Sequence, residues 1–237
     1  MTRKSREYAG CDLEAMSAAP NYIRWVCSYF QPWLAGSVCE VGAGTGNFTR
    51  CILNPRITRL LALEPSAAMH GILQSRLATD TRAETQCNFL GEIASRCEKS
   101  FDTVCYFSVL EHIDQPHQEL SVARSVLKDS GHLCIFVPAL PILYSAFDRS
   151  IGHLRRYTRS QLVRHVEHAG YDIVWTRYID MLGIIPWFIS IVLLRQHLHK
   201  STTALFDRIV VPLSRAIESR VHAVVGKNLV CAAKRKN

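Results

Sequence analysis

The stretch VCEVGAGTGNFT, Val38–Thr49, decides the fold. A short apolar run leads into glycines at alternating positions, Gly42, Gly44 and Gly46, and then into residues that suit a helix. Backbone amides at such a strand-to-helix turn converge on a bound ligand. Two nucleotide loops are excluded. The dinucleotide fingerprint G-x-G-x-x-G needs glycine where Asn47 stands, and a Walker loop needs a following Gly-Lys-Ser/Thr. Glu40, one residue from the end of the strand, would repel a pyrophosphate and attract an ammonium or sulfonium. Glu64 ends the next apolar run, where a carboxylate can accept hydrogen bonds from both hydroxyls of an unphosphorylated ribose. The expected ligand carries a ribose and a positive charge.

Outward from this turn, apolar runs alternate with amphipathic stretches, the pattern of a parallel sheet covered by helices. Strands are expected at Ser37–Val41, Arg59–Leu63, Gln86–Leu90, Phe101–Phe107, His132–Val137 and Tyr171–Arg177, with NLVCAAK (Asn228–Lys234) as the seventh. Helices are expected at Asn47–Leu53, Pro65–Leu77, Pro116–Leu127, Arg159–Ala169 and around Asp207–Val221. Pro116 at a helix start and Gly131 beyond its end follow the usual asymmetry of helix termini. The fold class is α/β: a doubly wound, seven-stranded, mostly parallel Rossmann-like sheet with an apolar helical insertion before the last strand. The expected division is an N-terminal helical cover (1–36), the core (37–178), an insertion or lid (179–227), and a final strand with a basic tail (228–237).

The chain has 237 residues, enough for one large domain or one domain with an insertion. A formal charge of +8 favours an anionic partner such as a membrane surface, a phosphorylated metabolite or nucleic acid. The basic tail Lys234-Arg235-Lys236 is too short to read as a nucleic-acid arm. The cysteines include no C-x-x-C pair, which excludes a zinc knuckle or a redox couple. Those in strands, Cys39, Cys105, Cys134 and Cys231, serve as small apolar side chains. A reducing cytoplasm suits this usage, and the N-terminus shows no apolar signal segment.

VCEVGAGTGNFT, LALEPS, FLGEI and FDTVCYFSVLEHI, in this order and spacing, resemble the motifs of class I S-adenosylmethionine-dependent methyltransferases over about residues 21–178. That cofactor has a ribose, an amino group and a sulfonium. The resemblance implies that Gly42 and Gly44 line its methionine part, Glu40 fixes the amino group and Glu64 holds the ribose. It also implies that Glu92 bonds the adenine amino group and that backbone at Ser108 faces the cofactor. Ala43, Gly46, Asn47, Pro65, Ile93 and Phe107 complete the expected cofactor set. NYIRW, Asn21–Trp25, resembles the family's covering segment, with Tyr22 at the cofactor.

Two histidine motifs are candidates for the acceptor side. In SVLEHI, Ser108–Ile113, quinone-biosynthesis O-methyltransferases carry E-x-x-E-H, a metal-assisting arrangement. Ser108 stands at the first glutamate, which leaves Glu111 and His112, too few ligands for a divalent ion. No metal is therefore expected. YSAFDRSIGHLRRYT, Tyr144–Thr158, resembles the D-x-x-x-G-H-x-R-R-Y segment of a bacterial subgroup serving glycan, lipid or secondary-metabolite pathways. His153 is a candidate base, with His112 the second candidate. Arg155 or Arg156 can neutralise an anionic acceptor group, and Arg156, Tyr144 and Tyr157 are the acceptor candidates. A structural alternative stays open: Asp148 pairs with an arginine while His153 and Tyr157 pin the loop.

Met181–Leu194 holds fourteen uncharged residues, roughly 21 Å as a helix, against a hydrocarbon core about 30 Å thick. It is too short to span a bilayer and reads as a buried lid, an apolar substrate tunnel or a membrane-dipping patch, with Trp187 near the acceptor. The expected function is methylation, at oxygen, of a small and partly apolar molecule. Alternatives are a lipid-linked or glycan substrate at a membrane surface, with peripheral membrane contact, or a non-catalytic binding protein. Nucleic-acid methylation is disfavoured, because Ser108-Val-Leu-Glu replaces the Asn/Asp-Pro-Pro-aromatic signature.

Overall fold

The computed structural model describes residues 15–236, so residues 1–14 of the N-terminal cover expected over 1–36 lie outside the described residues. The strands are β1 (Gly36–Val41), β2 (Ile57–Leu63), β3 (Ala83–Gln86), β4 (Phe101–Phe107), β5 (Leu127–Pro138), β6 (Tyr171–Ile179) and β7 (Asn228–Arg235). They form one sheet in the order β3-β2-β1-β4-β5-β7-β6. The first five run parallel, and β7 lies antiparallel between β5 and β6. This is the expected doubly wound, Rossmann-like architecture.

The helices are α1 (Pro20–Ser28), α2 (Asn47–Ile52), α3 (Ala67–Leu77), α4 (Leu90–Ile93), α5 (Pro116–Val126), α6 (Ala146–Ser150), α7 (Arg159–His168), α8 (Ile184–Trp187) and α9 (Lys200–Glu218). Alternation along the central strands divides the core into two layers. Leu133, Ile135 and Val137 of β5 pack with α5 and α7 through Leu120, Ala123, Leu162 and Val166. Cys134 and Phe136 face the other way, toward α1 and α9, and meet Ile23, Val26 and Val211. Both faces of these strands are therefore buried, which is why they read as nearly continuous apolar runs.

Three elements differ from the sequence reading, one being β5, which starts at Leu127 rather than His132 and takes in Gly131. The third strand is Ala83–Gln86 rather than Gln86–Leu90, paired with Leu60–Leu63. Its expected second half turns away because Leu90 and Ile93 bury themselves on α4, whose start is closed by the Phe89 amide donating to Glu92 Oε2 at 2.8 Å. The helix expected near Asp207–Val221 begins earlier, at Lys200, and ends at Glu218.

The insertion is also less buried than a closed lid. Met181–Leu194 forms α8 and then a π-helical stretch, Phe188–Leu193, in which Ile191 is the buried residue. Asp180 anchors its start: a carboxylate oxygen accepts from the Gly183 amide at 3.1 Å, and Lys227 Nζ lies 2.8 Å from the other.

Candidate cofactor and acceptor site

A cavity of about 1020 Å³ opens beyond the carboxyl ends of β1, β2, β4 and β5. This is where open α/β sheets bind ligands. One end is built by the glycine turn. Gly42 has φ +70°, and a Cβ there would sit 2.7 Å from a Val109 methyl carbon, so the turn requires glycine. Gly46, at φ +84°, caps α2, and Arg76 pins the turn by donating to the Thr45 carbonyl (2.8 Å) and the Asn47 side chain (3.0 Å).

Glu64 is fixed by its neighbours. Oε2 accepts from the Gly44 amide and Oε1 from the Ser66 amide, each at 2.8 Å. Each carboxylate oxygen retains a second lone pair for a ligand hydroxyl. Glu40 is different: it is buried, lines the cavity, and among the described residues its Oε2 has no hydrogen-bond partner. Burial pushes its carboxyl up to about 8, with the Glu64 charge adding to the rise. A buried carboxylate oxygen left unpartnered is costly unless a ligand completes it. An ammonium beside a ribose would satisfy both glutamates, so these residues fit S-adenosylmethionine. Tyr22, Ala43, Asn47, Pro65, Phe107 and Ser108 also line the cavity.

The other end is built by the loop after β5. Asp148, buried, receives four hydrogen bonds that orient it. Ser145 donates to Oδ2 through its amide (2.9 Å) and hydroxyl (2.8 Å), and His153 Nδ1 and Arg156 Nε meet Oδ1 at 3.0 and 2.9 Å. Burial alone would raise the Asp148 pKa, but the His153 hydrogen bond and the Arg156 charge outweigh it and hold the carboxyl at about 2. An ionised Asp148 makes His153 Nδ1 the protonated nitrogen and leaves the lone pair on Nε2. Nε2 lies 3.7 Å from Glu111 Oε1, and the rings of His112 and His153 meet edge-on with centroids 4.7 Å apart. His112 Nδ1 donates to the Gly152 carbonyl at 3.1 Å. Burial and the neighbouring His153 lower its pKa to about 4, so His112 is neutral at pH 7.

Glu111, His112 and His153 together place one carboxylate and two imidazoles with ligating atoms within 4.8 Å of one another. Sequence proximity groups only Glu111 and His112, because His153 arrives from a loop 41 residues beyond His112.

Trp187 also lines this end. Arg156 stacks over its ring at 4.8 Å, Lys227 Nζ lies 5.1 Å from it, and Phe147 packs edge-on at 5.8 Å. Among the described residues, its buried Nε1 has no acceptor.

Several expected site residues lie elsewhere. Tyr157 is interior: its hydroxyl donates to the Leu110 carbonyl at 2.9 Å, tying the acceptor loop to the turn after β4. Tyr144 does similar work by donating to the His153 carbonyl at 2.7 Å, and it does not line the cavity. Gly46, Glu92 and Ile93 are likewise absent from the lining. Gly46 is spent on the helix cap and Ile93 on the core, while Glu92 closes its own helix. Lys227 and Asn228, which do line the cavity, carried no signal in the sequence. They arrive from the far end of the insertion, with the Asn228 amide donating to the Tyr22 hydroxyl at 2.5 Å.

Residues 17–176 match the family model described as a methyltransferase domain. An uncharacterized methyltransferase of Bacillus mycoides is 24% identical over 158 residues, covering 60% of this chain and 72% of that relative. A chain solved in the complex between the Haloferax volcanii Trm112 methyltransferase activator and a methyltransferase superposes with a TM-score of 0.71 at 16% identity, covering 100% of both chains. The Burkholderia thailandensis 1,6-didemethyltoxoflavin-N1-methyltransferase, solved with its acceptor and S-adenosylhomocysteine, gives a TM-score of 0.61 at 18% identity, covering 96% of this chain and 83% of that one. With the sheet order, the glycine turn and the two glutamates in place, the chain belongs to the methyltransferase-domain family and is a class I S-adenosylmethionine-dependent methyltransferase.

Proposed function

We propose that the enzyme methylates a hydroxyl oxygen of a small, partly apolar molecule, with His153 as the base. The observation that carries this reading is the Asp148–His153 pair at the acceptor end of the same cavity that holds Glu40 and Glu64. Bound S-adenosylmethionine supplies an activated methyl group. The protein's own work is to hold it, place the acceptor, exclude water and take up one proton.

Glu40 and Glu64 would hold the cofactor's amino group and ribose, and Gly42 and Gly44 would line its methionine part. His153 Nε2 accepts the acceptor's proton, and the ionised Asp148 stabilises the imidazolium that forms. Arg156, locked to Asp148 at 2.8 Å, keeps that carboxylate oriented. The walls support the reading of a partly apolar acceptor. Phe48, Phe136, Phe147 and Trp187 supply apolar surface, while Trp187 Nε1 and Lys227 offer donors to a polar group. At about 1020 Å³ the cavity exceeds what one drug-sized ligand fills, which suits two partners bound together.

His153 reads as base rather than metal ligand because Arg156 already answers the negative charge of Asp148, and Glu111 lies within its field. A dication placed there would meet that guanidinium. Methyl transfer from labelled S-adenosylmethionine to a panel of phenols, aliphatic alcohols and matched amines tests the proposal. Labelled ether products dependent on His153 support it, and transfer to amines alone contradicts it. Cofactor binding with no transfer to any acceptor would favour the binding-protein alternative.

A further inference from the structure

Helix α9 is oriented against the usual rule for a surface helix. Its inward face carries Thr203, Asp207, Ser214 and Glu218 beside Val211, all buried, while Leu205, Ile209 and Leu213 form an i, i+4, i+8 ridge toward solvent. The inward acids have identifiable partners. Asp207 receives the amides of Asn21 and Tyr22 at 3.1 and 2.7 Å, which caps α1. Glu218 receives the Met181 amide at 2.8 Å, which ties down the end of β6. Val211 enters the core and Phe206 packs half-buried against it, while Leu205, Ile209 and Leu213 stay outside.

The preceding segment does the same. Ile185, Phe188, Ile189 and Leu193 of α8 and the π-helical stretch are exposed, whereas Trp187, between them in sequence, turns inward to the cavity. Most of the large apolar side chains exposed among the described residues lie in this one segment, 185–225. Surface apolar patches of this kind mark interaction sites.

The charges choose the partner. Between Met181 and Gly226 the acids are Asp207 and Glu218, both buried. The cations Arg195, Lys200, Arg208, Arg215 and Arg220 are all exposed. An apolar ridge fringed by cations, with every acid withdrawn, complements an anionic lipid surface. Among the described residues no helix is long and apolar enough to cross a membrane, so contact would be interfacial.

We infer that the insertion docks this enzyme on anionic phospholipid bilayers, with α8 and α9 lying in the interface. Docking there sets the cavity wall that contains Trp187 next to the lipid, so an apolar acceptor can enter from the bilayer. The docking itself does not depend on the reading of His153, since it is measured without an acceptor.

The test is co-sedimentation of the full chain with phosphatidylcholine vesicles, with and without phosphatidylglycerol. Binding is expected to require phosphatidylglycerol and to fall as salt rises. Ile185→Ser with Leu193→Ser, and separately Leu205→Ser with Ile209→Ser, remove side chains that are 65% and 60% exposed respectively. Each pair should weaken vesicle binding about tenfold or more. Arg208→Gln with Arg215→Gln should weaken it about fivefold per charge. Retained S-adenosylhomocysteine binding by calorimetry shows that each variant is folded and separates failure of docking from failure of the methyltransferase site. The inference is overturned if the wild type ignores both vesicle types or if both apolar pairs bind like wild type. It is also overturned if the wild type ignores vesicles and self-associates through this face, which would make it a protein interface.

Discussion

His153 Nδ1 and Asp148 Oδ1 stand 3.0 Å apart, with Asp148 buried and shared with Arg156. The pair fixes which imidazole nitrogen carries the proton and leaves the lone pair on Nε2 of a histidine that lines the cavity. His153→Ala should lower methyl transfer about 100-fold or more while leaving S-adenosylhomocysteine affinity unchanged. The comparison uses the best acceptor from the panel, at saturating cofactor. Equal loss of cofactor affinity would mean that the loop is structural.

Asp148→Asn makes a prediction about stability. The native carboxyl titrates at about 2, below its ordinary value of 3.8. Its ion pair therefore stabilises the fold fully above pH 4, and the contribution is lost as pH falls toward 2. Leaving Arg156 buried without its partner should cost about 3 kcal/mol or more at pH 7. Urea unfolding should show that the gap between wild type and variant narrows between about pH 4 and 2. A gap independent of pH would contradict the ion-pair account.

Glu40 gives the opposite sign. Its carboxyl is raised from 4.5 to about 8, so the folded apoprotein keeps it protonated over a range where the unfolded chain ionises it. Its titration thus destabilises the apo fold by about 1.4 kcal/mol for each pH unit between 4.5 and 8. Glu40→Gln should raise the apoprotein's melting temperature most near pH 8 and should weaken cofactor binding. Calorimetry in buffers of different ionisation enthalpy should show the wild type releasing a proton on binding at pH 7. Proton-neutral binding would contradict a cation at Glu40.

Trp187 lines the acceptor end of the cavity. Trp187→Ala should weaken acceptor binding and leave cofactor binding nearly unchanged, read as KM for each substrate. Loss of both would assign the tryptophan to folding.

Chelation tests the role of the Glu111, His112 and His153 cluster. Activity should survive exhaustive treatment with a chelator. Loss restored by a divalent cation would convert His153 from base to ligand.

The legible parts of this molecule were those whose function lies within one strand and its turn. Glu40, Gly42, Gly44 and Glu64 sit at the ends of adjacent parallel strands, so motif order alone placed them in one cavity. A loop-pinning Tyr157 stood as one alternative, but its partner was not legible, because nothing in its own segment points to the Leu110 carbonyl 47 residues upstream. Nor was the orientation of α9. Its pattern suits burial of the apolar face, and the choice was made by Asp207 capping a helix 185 residues away. Long-range polar partners override local amphipathicity, and a single sequence does not display them.

The central claim is that Glu40 and Glu64 form the amino and ribose contacts of an S-adenosylmethionine site. Titration calorimetry of S-adenosylhomocysteine and, separately, NAD into the full chain and Glu64→Ala tests it most directly. The account predicts that S-adenosylhomocysteine binds the wild type, binds Glu64→Ala at least about tenfold more weakly through loss of charge-assisted hydrogen bonds, and is preferred to NAD. Preference for NAD, or undiminished S-adenosylhomocysteine binding by Glu64→Ala, would contradict it.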